Sequence, residues 1–264
     1  NQPPDVSEFI RWDTVVEPSH KLLSRRKKWE ESVHSIAVTG HICLDVTPLL
    51  ADKARIDPGA LIEVGPLSIT LGGAVANTGT ALTNLGIDTV PYGTVGDDEL
   101  GHLLLAKLSQ EGFRDPHLAV SETLATSYSL VVESSGTDRT FWHHTGANAE
   151  FDGASVIPAG HGLLHVGYPP LLPGLLENTG APLRELFERA RAEGVTTSLD
   201  LAVVDPQSAV GKLDWGAIYS SVLPHSNIVT PSVDDLTSAL RIEEPYSPQL
   251  VQRLADQLTD HGVA

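Results

Sequence analysis

The residues best placed to do chemistry are a double glycine, a strand-end acid and a capped acidic turn. In Leu71-Gly72-Gly73-Ala74-Val75-Ala76-Asn77 an apolar run stops at two glycines, and a helix of small residues begins at once. That pattern gives a ligand close access to the backbone beside free helix N–H groups, and equally makes a tight strand-to-helix turn. Asp45 closes the run His41-Ile42-Cys43-Leu44-Asp45. An acid at the carboxyl end of a parallel strand lies where open α/β sheets bind ligands. Taken alone, it reads as a cap before Thr47-Pro48. Ser232, with Asp234 and Asp235 after it, is a helix N-cap with acids in the first turn. His143 and His144 are adjacent, so a strand would aim them at opposite faces and they could not share a metal. Cys43 is the single cysteine, set among apolar residues, and reads as a buried inert thiol.

These groups need a scaffold of alternating elements. From Ser35 the chain runs almost continuously β-branched and apolar to Val46, as expected of a strand buried on both faces of a parallel sheet. Helices are predicted over 74–85, 97–110, 182–193, 215–222, 233–240 and 248–261. Gly86, Gly112 and Gly194 follow three of them as stops. Strands are predicted over 89–95, 162–166, 195–199 and 227–230. The succession specifies an α/β fold: a doubly wound, mostly parallel sheet with helices on both faces. Two stretches break the rhythm, about 60–71 and 126–143, the second a hairpin around Ser134-Ser135-Gly136-Thr137. They predict a small antiparallel β lid over the site. Residues 1–34 hold Pro3, Pro4 and Pro18 and are expected to form an N-terminal arm outside a core of 35–264.

Composition narrows the partners. The 264 residues carry 41% hydrophobic and 19% charged residues and a net charge of −17, an ordinary globular balance. Residues 1–34 are neutral, so the whole acidic excess lies in 35–264, with 11 basic and 28 acidic residues. Such a surface argues against nucleic acid, and no apolar run is long enough for a membrane helix. One cysteine, no secretory signal pattern and no N-x-[ST] acceptor place the chain in a reducing, cytoplasmic setting. The absence of methionine and the ending just after a predicted helix lead to the expectation that the natural chain is longer.

The stretch Gly72 to Gly101 resembles the first signature of the ribokinase-like (PfkB) carbohydrate kinases. A G-G-x-x-x-N turn falls on Gly72, Gly73 and Asn77, further glycines on Gly86 and Gly96, and a V-G-x-D-x-x-G run on Val95 to Gly101. Val75 and Gly79 depart from the residues usual there. The resemblance continues through Asp45, the G-A-N-A segment Gly146-Ala147-Asn148-Ala149, Gly167 and the strand-end Asp200. It implies that Asp45, Gly72, Gly73, Asn77, Gly146, Asn148 and Asp200 line a sugar site. Thr230-Pro231-Ser232-Val233-Asp234-Asp235 is similar to the family's P-N-x-x-E segment, with Ser232 for Asn and Asp235 for Glu. It implies that Ser232 and Asp235 organise phosphate and a hydrated magnesium ion without ligating it directly. Tyr128, Phe141 and Trp142 are candidates for sugar specificity.

The implied activity is transfer of the γ-phosphoryl of ATP, with Mg2+, to a hydroxymethyl group of a small sugar or nucleoside, in a homodimer joined through the lid. The family's catalytic aspartate lies in a G-A-G-D motif, and none occurs here. The 264 residues as given are therefore expected to be inactive and to lack the ATP-binding part. A non-catalytic sugar- or nucleoside-binding relative is the alternative. A dinucleotide enzyme is set aside, because Gly40-His41-Ile42-Cys43 stands where G-x-G-x-x-G is needed.

Overall fold

The computed structural model describes residues 35–50, 57–113, 116–133 and 138–263. The predicted arm over 1–34 and the hairpin tip at 134–137 lie outside the described residues. Among the described residues ten strands form two sheets. The first holds β1 (Ile36–Gly40), β4 (Thr89–Gly96), β5 (His117–Ser121), β8 (Leu163–Gly167), β9 (Thr196–Asp200) and β10 (Ile228–Val229). Their order is β10-β9-β8-β1-β4-β5, and every pairing is parallel. The second sheet holds β2 (Cys43–Pro48), β3 (Leu67–Gly72), β6 (Tyr128–Val132) and β7 (Thr140–His144), in the order β3-β2-β6-β7.

The helices are α1 (Gly73–Asn84), α2 (Glu99–Gln110), α3 (Pro173–Ala192), α4 (Trp215–Val222), α5 (Val233–Leu240) and α6 (Pro248–Asp260). Local chemistry sets their starts. Asp98 accepts from the Gly101 N–H at 2.8 Å, Asp214 from Ala217 at 3.0 Å and Ser247 from Leu250 at 3.1 Å. α3 is interrupted at Glu177–Gly180, where four residues leave helical geometry. Pro182 falls in the first turn after that break, where its missing N–H costs nothing, which is why the sequence predicts a helix only from there. The larger core packs α3, α4, Leu236 and Leu254 against β8 and β9, with Phe187, Leu164 and Leu172 fully buried. A smaller core gathers Ile42, Leu44, Val75, Leu104 and Leu108 where the second sheet meets α1 and α2.

Three expectations are corrected. The apolar run 35–46 is two strands, broken at His41-Ile42: β1 stays in the large sheet and β2 leaves it to begin the small one. Asp45 therefore sits within the lid sheet and does not end a core strand. The local mark is Gly40, at φ of +118° just before the break, inside a run that is apolar on either side. The small sheet is mixed and not antiparallel throughout, since β2 pairs with β6 in parallel while β2–β3 and β6–β7 are antiparallel. Within 60–71 strand pairing begins only at Leu67; Ala60 to Pro66 are irregular and exposed, Leu61 fully so. β5 was not expected; its HLAVS pattern is short and exposed on an edge.

Candidate functional site

The break at His41-Ile42 builds the site. It carries β2 off the carboxyl end of β1 into the small sheet, and Asp45 on β2 shares with Asp200 and Asp235 an influence on Tyr168, so the crevice lies between these groups. Asn148 holds the break from 106 residues away: its amide N–H donates to the Ile42 carbonyl at 2.8 Å, and its Oδ1 accepts from the Ile42 N–H at 3.4 Å. It is fully buried, so the structure gives it a scaffolding position at the turn. Gly146, two residues earlier, is buried with its α-carbon against the Ala125 carbonyl, and the Ala147 N–H donates to that oxygen at 2.8 Å.

Asp45 is half-buried and points at the glycine turn. A Cβ on Gly72 would sit 2.5 Å from its Cγ and both carboxylate oxygens. Gly73 has φ of +85° at the first position of α1, and a Cβ there would meet the His41 carbonyl at 2.5 Å. The carboxylate and the start of α1 are thus as close as two groups can be without a side chain between them. Burial raises the Asp45 pKa above 3.8, while Cys43, Ser129 and Arg139 pull it down. The two departures in the glycine signature face away from this point. Val75 is fully buried in the smaller core, and a Cβ on Gly79 would sit 2.8 Å from the Phe113 ring.

Asp200, Ser232 and Asp235 meet around a cavity of about 360 Å3 with Tyr168, Leu201, Ala202, Val203 and Thr230. Asp200 accepts from the Leu201 N–H at 3.1 Å and the Thr230 hydroxyl at 3.3 Å. Burial, then the neighbouring Asp235 charge, raises its pKa. Ser232 and Asp235 form a complete capping box: the Asp235 N–H donates to Ser232 Oγ at 3.1 Å, and the Ser232 N–H donates to Asp235 Oδ2 at 2.7 Å. Among the described residues no cluster of three His, Cys, Asp or Glu could hold a metal ion directly. Asp200 and Asp235 nevertheless face one open cavity and repel each other, and a hydrated magnesium ion, which keeps several waters, fits that pair.

Tyr168 joins the two halves, and the sequence reading missed it. Burial, then the carboxylates of Asp200, Asp235 and Asp45, raises its pKa, while the neighbouring exposed Asn77 side chain pulls it down. Its backbone is left-handed, with φ of 62°, directly after Gly167 at the end of β8. The signal was there: a strand end followed by Tyr168-Pro169-Pro170 forces the chain to turn away from the sheet. A second cavity of about 400 Å3, bounded by Thr70, Asn77, Thr80, Asn84 and Glu111, lies along α1 and β3.

The remaining candidates divide by exposure. Tyr128, Phe141 and Trp142 are 39%, 49% and 48% exposed on the small sheet. His143 is half-buried on the crevice face and His144 is exposed. Burial holds His143 at a pKa of about 4 and the buried His41 at about 3, so both rings are neutral at pH 7. Cys43 is buried, and burial pushes its thiol pKa far up, so the inert reading stands on its surroundings. No helix among the described residues is long and apolar enough to cross a membrane.

Comparison with known proteins matches residues 33–264 to the model of the pfkB family carbohydrate kinases. Fructokinase-2 of Oryza sativa subsp. japonica is 27% identical over 111 residues, which is 42% of this chain and 31% of that protein. Probable fructokinase-4 of Arabidopsis thaliana is also 27% identical, over 42% of this chain and 32% of its own. The matched stretch thus spans about a third of these curated relatives. Among solved structures, the fructokinase of Xylella fastidiosa superposes with a TM-score of 0.65 at 19% identity, covering 87% of this chain and 67% of its own. The Arabidopsis thaliana ribokinase complexed with ribose and ATP gives a TM-score of 0.65 at 17% identity, covering 88% and 70%. These structures share the fold.

Proposed function

The chain belongs to the pfkB family of carbohydrate kinases, and from that premise we propose that it transfers the γ-phosphoryl of ATP to a hydroxymethyl group of a small sugar or nucleoside. The observation that carries this reading is the Asp45 carboxylate set against Gly72 at the start of α1, linked through Tyr168 to the Asp200 and Asp235 cavity. Asp45 accepts hydrogen bonds from sugar hydroxyls, and the bare glycine backbone lets the sugar approach. Asp200 faces the sugar from the same cavity, and Ser232 and Asp235 would organise the phosphate and the hydrated magnesium that accompanies ATP. The deciding experiment is coupled ADP release by the full-length gene product with ribose, fructose, ketodeoxygluconate, nucleosides and phosphosugars. ADP release that depends on one of them is expected; silence with all of them overturns the kinase reading.

A second reading, a sugar- or nucleoside-binding relative without turnover, is favoured by one observation. The capping box already engages Ser232 Oγ and Asp235 Oδ2. Calorimetry with the same compounds separates the two: heat of binding without ADP release supports the binder.

Sugar binding is expected to weaken on acidification. The acceptor is the ionised Asp45, and burial raises its pKa, so affinity is full well above that value and falls as pH drops through it. The fall should begin at a higher pH than an ordinary carboxylate of 3.8 would give, and Asp45→Asn should flatten the profile. A titration by calorimetry from pH 8 to about 4.5 reads this directly; equal steepness in the Asn variant removes Asp45 as its source.

Tyr128 and Trp142 share the face of the small sheet opposite Ser129 and His143, and their exposed area supports a homodimer joined through the lids. Trp142→Ser is expected to shift the sedimentation coefficient from dimer to monomer. A monomeric unsubstituted protein contradicts the lid dimer.

A further inference from the structure

Across the crevice face of the small sheet, Asp45 on β2 stands beside Ser129 on β6, and Ser129 stands beside His143 on β7. Side chains in one such row are neighbours by geometry. Ser129 Oγ lies 3.0 Å from His143 Nδ1 and stabilises the charged form of Asp45. Cys43 Sγ completes the cluster, donating to Asp45 Oδ1 at 3.5 Å and lying 3.9 Å from Ser129 Oγ. The His41 ring packs edge-on against His143 with centroids 4.9 Å apart.

Ser129 has one hydroxyl proton and two neighbouring acceptors to serve. Ser129 is the register partner of Asp45, both lie beside Cys43 Sγ, and a hydrogen bond to an ionised carboxylate is about twice as strong as one to a neutral partner, which favours turning the proton toward Asp45. Ser129 Oγ then faces His143 with a lone pair, and the 3.0 Å contact is a bond only when Nδ1 carries the hydrogen. The other nitrogen agrees, since His143 Nε2 is buried with no partner, a place that is costlier for a proton needing an acceptor than for a lone pair.

We propose that His143 is a positioning residue for the sugar-binding carboxylate: His143 Nδ1–H donates to Ser129, whose hydroxyl donates to Asp45, and this relay across three strands fixes the carboxylate toward the crevice. The inference rests on reading Asp45 as the acceptor of sugar hydroxyls. Without the histidine donor, the Ser129 hydroxyl rotates freely and Asp45 loses its lateral anchor, although its charge and backbone remain.

Two measurements test the relay. Long-range proton–nitrogen spectra of histidine-labelled protein at pH 7, with His143 assigned by its loss in His143→Asn, are expected to show Nδ1 protonated and Nε2 bare. Ser129→Ala should move His143 toward the Nε2–H form that histidine prefers in water. An Nε2–H ring in the unsubstituted protein, or a ring indifferent to Ser129→Ala, overturns the relay. In the full-length protein with D-fructose and ATP, His143→Leu and Ser129→Ala are each expected to raise the fructose KM about tenfold and leave kcat within about threefold, the loss of one anchoring hydrogen bond. His143→Asn, whose amide N–H replaces Nδ1–H, should restore KM, and the double variant should be no worse than Ser129→Ala alone. Unchanged KM in both single variants, or additive losses, overturns the positioning role. Where the unsubstituted protein turns over another compound of the panel instead of fructose, the KM comparison uses that compound; absence of turnover with the whole panel counts against the kinase reading, while the ring-nitrogen spectra still decide the relay.

Discussion

Replacing Asp45 by alanine is expected to abolish sugar-dependent ADP release while leaving the fold at least as stable as before. The carboxylate can accept two hydrogen bonds from vicinal hydroxyls, each worth about 1.5–3 kcal/mol when one partner is charged, so the sugar KM should rise more than about a hundredfold. The stability half follows from the electrostatics. Burial raises the Asp45 pKa, so folding works against its charge, and truncation relieves that cost at pH 7. Loss of turnover with an unchanged or raised thermal midpoint is the signature of a residue kept for function. A variant with ordinary KM and kcat would make Asp45 a structural cap and remove the carboxylate from the proposed site.

The adjacent glycines should fail in different ways when each becomes alanine. Gly72 has φ of −133°, which any residue adopts, so Gly72→Ala strains no backbone. Its methyl would lie 2.5 Å from the Asp45 carboxylate, which must swing aside. The expected result is a loss of sugar affinity on the scale of Asp45→Ala with a nearly unchanged thermal midpoint. Gly73 has φ of +85°, and its Cβ would press on the His41 carbonyl at 2.5 Å and on His41 Nδ1 at 2.7 Å. That carbonyl already accepts from the Val75 N–H at 3.1 Å and cannot retreat without breaking the start of α1. Left-handed strain and overpacking together cost about 3 kcal/mol, or roughly 6–12 °C in melting temperature for a domain of this size. Melting curves and sugar KM for the two variants give the comparison. Similar melting losses in both would mean that the turn is only structural.

Much of the fold was legible because its cues are local. The helix starts at Asp98, Ser232 and Ser247 are each set by a side chain bonding an N–H three residues on, and such pairs can be read from a single line of sequence. The glycine stops after α1 and α2 were equally local, with Gly86 and Gly112 at φ of 79° and 92°. The candidate acids came from a resemblance in motif order. Their grouping around one crevice did not follow from spacing, because Asp45, Gly72, Asp200 and Asp235 lie on four separate elements.

The sequence by itself determined the alternating α/β order, the Ser232 cap, the glycine stops, the glycine turn and the acidic balance of residues 35–264. Only the tertiary structure decided that β2 leaves the core sheet at His41-Ile42, that Asn148 fastens that departure, that Tyr168 lies within reach of Asp45, Asp200 and Asp235, and that His143 meets Ser129 beside Asp45. The physical reason is range. Propensity, capping and hydrophobic period act within about five residues along the chain, whereas strand pairing and the Asn148 clamp join residues 84 to 106 positions apart.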